Sequence, residues 1–251
     1  MKTLKTDSPN PLTEPFFDCP LCEDAGFVHP LKEDGKPDFS RVVPCKCKVK
    51  QLAEEARERR LRQCSLPHGT EGWTFDNFKV NKQWPTLKEA KDAALSLAEE
   101  TSDFRWLILL SKTDRGKSHL AVAICRQWLE RGKPAAYVFV PTMLDELRGG
   151  YDDHSYDRKL QYLKDVELLV LDDLGAQYVK NPNEPSWANE RLVMIINHRL
   201  EEGLHMVVTT NKDLSNLPGD DEHRMGSRLL RFPGSKRIVI EAPEYRLEVS
   251  K

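Results

Sequence analysis

The chain has 251 residues and a formal charge of -2, enough length for one substantial domain plus a small appendage. A near-neutral balance excludes wholesale electrostatic coating of nucleic acid, so any DNA contact has to come from a local patch that neutralises individual phosphates. No apolar run approaches the roughly 20 residues needed to cross a bilayer, and the polar, mixed-charge residues 1–10 do not form a signal peptide. A cytoplasmic protein without a membrane partner is expected.

Four of the six cysteines fall at positions 19, 22, 45 and 47. A reducing compartment disfavours disulfides among them. Cys19 and Cys22 form C-P-L-C, and Cys45 and Cys47 form C-K-C. Four thiolates in two close pairs suit tetrahedral zinc, whose binding would supply the folding energy of a segment poor in apolar residues. His29 and Cys64 are substitute ligands on the same chemistry. A redox role for Cys19 and Cys22 is the other alternative, although the pair is not on the strand-to-helix turn of a thioredoxin-like unit. A charged helix is expected over about 49–63. Residues 41–62 include Lys46, Lys48, Lys50, Arg57, Arg59, Arg60 and Arg62 against Glu54, Glu55 and Glu58, which reads either as a binding patch or as a solvated helix face. The chain is expected to divide near residue 65, into a cysteine module with its helix (1–64) and a larger domain (65–251).

In the larger part, residues 106–110 (WLILL) read as a buried strand, followed by a polar turn and a helix over 119–130. Residues 135–140 (AAYVFV) read as a second strand and 168–171 (LLVL) as a third, entered after a helix near 158–163. Leu192, Ile195, Ile196 and Leu200 share one helix face. Residues 206–210 (MVVTT) and 238–240 complete five strands. Continuous apolar runs spaced by helices predict an α/β fold with a parallel sheet between helices. Such sheets bind ligands at the carboxyl ends of their strands, where the polar motifs fall.

Residues 111–118 (SKTDRGKS) follow the first strand and match the P-loop pattern at Gly116, Lys117 and Ser118. Backbone N–H groups at the helix start, aided by the helix dipole, suit phosphates. Lys117 is placed to reach the β- and γ-phosphates, and the Ser118 hydroxyl to ligate magnesium. Ser111, Asp114, Arg115 and His119 complete the candidate nucleotide site. Ser111 replaces the first glycine of the pattern and is expected to strain the turn by about 1 kcal/mol or more. Asp114 puts a carboxylate in the loop, either near the phosphates, where like charge weakens binding, or turned to solvent.

The third strand ends in Asp172 and Asp173. Asp172 is the candidate magnesium ligand, and Asp173 the group that orients or deprotonates the attacking water; a helix cap or a loop acid is the plain alternative. Asn211, after the fourth strand, either lies beside the γ-phosphate and the attacking water or caps a turn. Arg224 and Arg228, in RMGSRLLR, are either charge-stabilising groups acting on a neighbouring subunit or surface arginines. Trp73, Phe75 and Phe78 either flank an adenine or pack the core. Tyr151, Tyr156, Arg158 and Lys159 offer base stacking and phosphate contact, or form a solvated loop. Cys125 reads as core packing.

Taken together, LLSKTDRGKSHLAVAI, LLVLDDLGAQ, ANERLVMIINHRL, VVTTNKDL and RMGSRLL resemble the matching blocks of DnaC/DnaI-type replicative helicase loaders and their IstB-like transposition relatives. WTFDNF (73–78) resembles the segment that enters the P-loop in that family, and the resemblance spans roughly residues 70–241. It implies an AAA+ P-loop core with ATP bound between subunits. Lys117 and Ser118 then match Walker A, Asp172 and Asp173 Walker B, Asn211 sensor 1, and Arg228 the arginine finger, with Arg224 as the fallback. It further implies a slow, partner-stimulated ATPase that binds ATP, Mg2+, single-stranded DNA and a hexameric DnaB-like helicase, as a homo-oligomer or assembled on the helicase ring. The zinc module would serve partner capture. Few residues follow the last strand, so little or no helical lid is expected. Two alternatives remain: the ATPase helper of a transposase, which partner capture would separate from a loader, and an adaptor whose altered loop no longer holds nucleotide.

Overall fold

The computed structural model describes residues 17–150, 155–177, 186–218, 220 and 224–245. Two compact units, Met1–Ala56 and Arg57–Lys251, divide the chain. In the first, strands β1 (Phe27–Val28) and β2 (Val43–Pro44) pair antiparallel and lead into helix α1 (Lys46–Cys64). The division at Ala56 falls within α1. This helix holds no Gly or Pro and is rich in Ala, Glu, Lys, Arg and Leu, the residues that lose least on entering a helix. Side-chain bonds from Gln51 to Glu55 and from Arg62 to Glu58 add support one turn apart, worth a few tenths of a kcal/mol each. Among the described residues of this unit only Cys22, Gly26 and Cys45 are buried.

The second unit adds α2 (Pro85–Ala98), β3 (Trp106–Leu110), α3 (Lys117–Glu130), β4 (Ala135–Phe139), α4 (Val140–Gly149), α5 (Ser155–Asp165), β5 (Leu168–Leu174), α6 (Trp187–Glu201), β6 (His205–Thr210), α7 (Arg224–Arg231) and β7 (Ser235–Val239). Its sheet runs β4-β5-β6-β3-β7, with every pairing parallel. Side chains alternate across the sheet, as the strand period of two requires. Leu107, Leu109, Leu168, Val170, Val207 and Ile238 pack on one face with Ala94 and Leu97 of α2 and Leu120, Ile124 and Trp128 of α3. Trp106, Ile108, Leu169, Leu171, Met206 and Val208 pack on the other with Leu144, Leu160, Ile195 and Leu229 of α4 to α7. Both faces are apolar because both are covered, which is why these strands read as unbroken apolar runs. Each fully buried Leu or Ile contributes about 1.5–3 kcal/mol, so the layers hold the strand ends in register.

The helix before β5 extends to 155–165, and the second strand ends one residue earlier than its apolar run. Val140 opens α4, with Pro141 in its first turn, where a missing N–H costs nothing and the fixed φ suits the helix. Phe232 and Trp106 pack ring to ring, 4.6 Å apart, below α7. Among the described residues no helix is long and apolar enough to cross a membrane.

Candidate functional site

Ser111 hydrogen-bonds through its N–H to Thr210 O at 3.2 Å, prolonging β3 alongside β6. Its φ is not positive; in the loop only Asp114 (φ 57) and Gly116 (φ 86) are left-handed. The strain expected at Ser111 is therefore absent, because the chain turns later, and the left-handed non-glycine position is Asp114. Gly116 is the N-cap of α3, and no side chain caps that helix. A Cβ at Gly116 would lie 2.6 Å from Phe78 Cε2, so glycine is required there for space as well as for φ.

Lys117 opens α3 and is only 8% exposed. Its ammonium donates to Ser111 O (2.9 Å), Ser111 Oγ (2.9 Å) and Lys112 O (2.8 Å). Burial lowers its pKa, opposed by the charges of Asp173 and Asp172. One residue on, Ser118 Oγ donates to both carboxylate oxygens of Asp172, at 2.9 and 3.1 Å.

Asp172 is 5% exposed and accepts two further hydroxyls: Tyr137 at 2.6 Å from β4 and Thr209 at 2.5 Å from β6. A buried carboxylate is costly unless its oxygens are satisfied, and three hydroxyls from three elements satisfy this one. Thr209 Oγ1 also accepts from the Asp173 N–H at 2.9 Å, fixing both acids with one side chain. Between Leu171 and Leu174 the register against β6 shifts, and Asp173 takes φ 60. The irregularity spans both acids. Burial raises the Asp173 pKa, as does the Asp172 charge, while Lys117 and Lys212 oppose the rise. Burial likewise pushes the Tyr137 hydroxyl far above its ordinary range, with Asp172 adding to the effect.

Of the flanking candidates, Arg115 lies half-buried in the loop, with its Nε buried and unpartnered among the described residues. The Asp114 carbonyl accepts from the Tyr245 N–H at 2.9 Å. His119 Nε2 donates to Thr74 O at 2.8 Å, its ring lies parallel to Trp73 at 5.5 Å, and Phe78 meets it edge-on at 5.3 Å. Phe75 and Phe78 are buried in the core layer beside α3. Asn211 is exposed, immediately past β6. On α7, Arg228 is half-buried; its Nε donates to Asn197 Oδ1 and its Nη1 to Arg224 O. Arg224 is exposed at the first turn of that helix. On α5, Tyr156 packs against the second core layer and Lys159 pairs with Glu146. Tyr151 lies outside the described residues.

In the first unit the sulfurs of Cys19, Cys22, Cys45 and Cys47 all lie within 4.8 Å of one another. Cys19 and Cys45 are 3.7 Å apart, and Cys22 and Cys47 3.4 Å. Tetrahedral sulfurs about 2.3 Å from a zinc ion sit roughly 3.8 Å apart, so the donor set fits that metal. The turn after Cys22 is left-handed at Glu23 (φ 49) and Asp24 (φ 62), and Asp24 accepts from the Cys19 N–H at 2.9 Å. The N–H groups of Leu21 and Cys22 hold the Cys19 thiol down at about 7, whereas the neighbouring Cys22 pushes Cys47 up to about 12. The two substitute ligands lie elsewhere: His29 Nδ1 contacts Arg41 O, and Cys64 is buried with Cys125 in the core of the second unit.

Residues 49–222 match the sequence family described as IstB-like ATP binding protein. The chain belongs to that family. Over 256 residues, 98% of this chain and 91% of the relative, it is 22% identical to the phage-like element PBSX protein XkdC of Bacillus subtilis. With the replicative helicase loader DnaI of the same organism it shares 26% over 234 residues, 89% of this chain and 72% of DnaI. The crystal structure of the DnaC helicase loader superposes with a TM-score of 0.59 at 19% identity, covering 70% of this chain and all of that one. The fold is therefore the AAA+ α/β core, and the chain is a relative of helicase loaders.

Within this IstB-like core, sequence reasoning missed Tyr137 and Thr209. Both sit inside apolar strand runs, AAYVFV and MVVTT, where a hydroxyl looks like strand filler. What marks Tyr137 appears only in the fold: Phe139 pairs with Asp172 in register, and Tyr137 lies two residues earlier on the same face.

Proposed function

We propose that this protein binds ATP with magnesium at the junction of β3, β5 and β6, hydrolyses it slowly, and uses the cycle to control contact with single-stranded DNA and a hexameric replicative helicase. The observation that carries the reading is the convergence of Lys117, Ser118, Asp172 and Asp173 on one strand-end site, held by Tyr137 and Thr209. The residues fit nucleotide and metal. The uncapped start of α3 offers N–H donors, Gly116 supplies the left-handed turn that opens the helix, and Arg115 keeps an unpartnered buried N–H in the loop.

In that reading Lys117 leaves its loop carbonyls and binds the β- and γ-phosphates, while Ser118 and Asp172 hold the magnesium ion. The metal supplies charge neutralisation at the transferred phosphate. Asp173 orients the attacking water and takes its proton; the raised pKa favours that role. Asn211, past the end of β6, holds the same water. Arg228, presented by α7 and steadied by Asn197, acts on a neighbouring subunit, with Arg224 as the fallback. Zinc, held by Cys19, Cys22, Cys45 and Cys47, orders the first unit for partner capture.

Magnesium-dependent binding of a fluorescent ATP analogue tests the core of this. Lys117→Ala removes charge-assisted bonds worth about 1.5–3 kcal/mol each, so affinity should fall about a hundredfold or more. Affinity unchanged in Lys117→Ala would sink the nucleotide-site reading. Capture by a hexameric helicase in the presence of ATP supports the loader, whereas capture by a transposase supports the alternative, the ATPase helper of a transposase.

A further inference from the structure

We propose that Ser111 is a positioning residue whose hydroxyl latches Lys117 onto the loop and so lowers nucleotide affinity. The inference rests on the ATP-site reading above. A lysine ammonium has three N–H donors and no acceptor. Here all three are taken by the loop: Ser111 O, Ser111 Oγ and Lys112 O, at 2.8–2.9 Å. None is left for a phosphate.

The third partner exists only because residue 111 is serine. Glycine, the residue of the P-loop pattern at this place, offers the carbonyl but no hydroxyl. The Ser111 Oγ in turn donates its own hydrogen to Lys112 O at 2.8 Å. Ser111 Oγ, Lys117 Nζ and Lys112 O thus close a ring of hydrogen bonds, in which the hydroxyl accepts from one partner and donates to the other. The backbone is not the reason for the effect, since Ser111 is not left-handed and extends β3 against Thr210. The site is 9% exposed, so water is a poor substitute for the hydroxyl as a partner. Phosphate has to displace the ring before Lys117 can reach it.

A net hydrogen bond to a charged group corresponds to about a tenfold change in affinity or somewhat more. The test uses the full chain and a fluorescent ATP analogue with magnesium, comparing wild type, Ser111→Ala and Ser111→Gly by titration and stopped flow. Both variants are expected to bind about tenfold more tightly, with the gain in the association rate and the dissociation rate unchanged. A latch acts before the nucleotide binds, whereas a general loosening of the loop would move dissociation. Tightening confined to Ser111→Gly would assign the effect to the backbone and overturn the latch. Unchanged or weaker binding in Ser111→Ala would overturn it too, the latter by showing that the hydroxyl serves the phosphates. Lys117→Ala separates the two claims. If Lys117→Ala abolishes binding while Ser111→Ala changes nothing, only the latch fails; if Lys117→Ala binds normally, the site itself fails.

Discussion

The two polar clusters of this molecule are fixed in opposite ways. Asp172 stands near the end of β5, and Lys117 and Ser118 open α3, on elements packed into two apolar layers; the partners of Asp172 come from β4, β6 and α3, all set by that packing. The four cysteines stand in a unit whose described residues bury only Cys22, Gly26 and Cys45, while Leu21, Phe27, Leu31, Phe39 and Val42 remain exposed. One geometry is imposed by a core before any ligand arrives. The other has almost no core to impose it, and in the proposed reading zinc would supply the order.

The largest effect should come from breaking that second arrangement. Chelating the metal from the full chain, or substituting Cys22→Ser, is expected to erase hydrogen-exchange protection across residues 19–45. Binding of the ATP analogue and protection in β3, β5 and β6 should persist. Protection of 19–45 surviving complete metal removal would mean that packing, not a ligand, holds the module.

The first arrangement is best broken where backbone meets backbone. A Cβ on Gly226 would lie 1.9 Å from Leu214 O, and α7 is anchored there by Asp220, whose carboxylate accepts from the Met225 and Gly226 N–H groups at 2.9–3.0 Å. Gly226→Ala therefore has to displace α7, at a cost of about 1–3 kcal/mol or more. The melting temperature should drop by several degrees, roughly as such a cost predicts for a domain of this size. Zinc content should not change. Partner-stimulated hydrolysis should fall further than nucleotide binding, because Arg228 moves with α7. A melt identical to wild type would show that α7 is not packed as described.

How much of this was legible in the sequence follows the same division. Strand β3 was readable to the residue, because a fully covered central strand has to be apolar throughout. The clustering of Ser118 with Asp172, and of the four cysteines, was legible because the chemistry expected of them demands fixed residue types at short spacing. Helix α4 was hidden: Val140 closes an apolar run that looks like strand, and the switch to helical geometry is a tertiary decision made at Pro141. Helix α2 buries Ala90, Ala93, Ala94, Leu97 and Ala98 at helical spacing, but four of these five are alanine, whose small apolar surface marks a face only faintly. Tyr137 and Thr209 escaped because what marks them is a neighbour on another strand, and sequence distance carries no trace of that. The strain assigned to Ser111 was misplaced for the same reason, since the pairing with Thr210 decides where the loop turns.

The smallest effect sharpens the comparison from inside the packed site. A core that fixes geometry can hold a group in a charge state that stability disfavours, and Asp173 is such a group. Its pKa is raised above 3.8, chiefly by burial and next by Asp172. A raised carboxyl pKa means that the folded state binds the proton more tightly than the unfolded one. The associated stability is complete below the unfolded pKa and is lost as pH rises through the folded value. Above the folded value the loss is complete, and Lys117 and Lys212 offset only part of the rise. Asp173→Asn should therefore raise the melting temperature slightly at pH 7, with the gain shrinking as pH falls toward 3.8. Asparagine tolerates the left-handed φ of 60 at this position, so the backbone should not mask the effect. Hydrolysis should vanish while binding of the ATP analogue remains. A variant that melts lower at every pH would show that the carboxylate is held by attraction to the lysines, and that the packed site carries no such electrostatic cost.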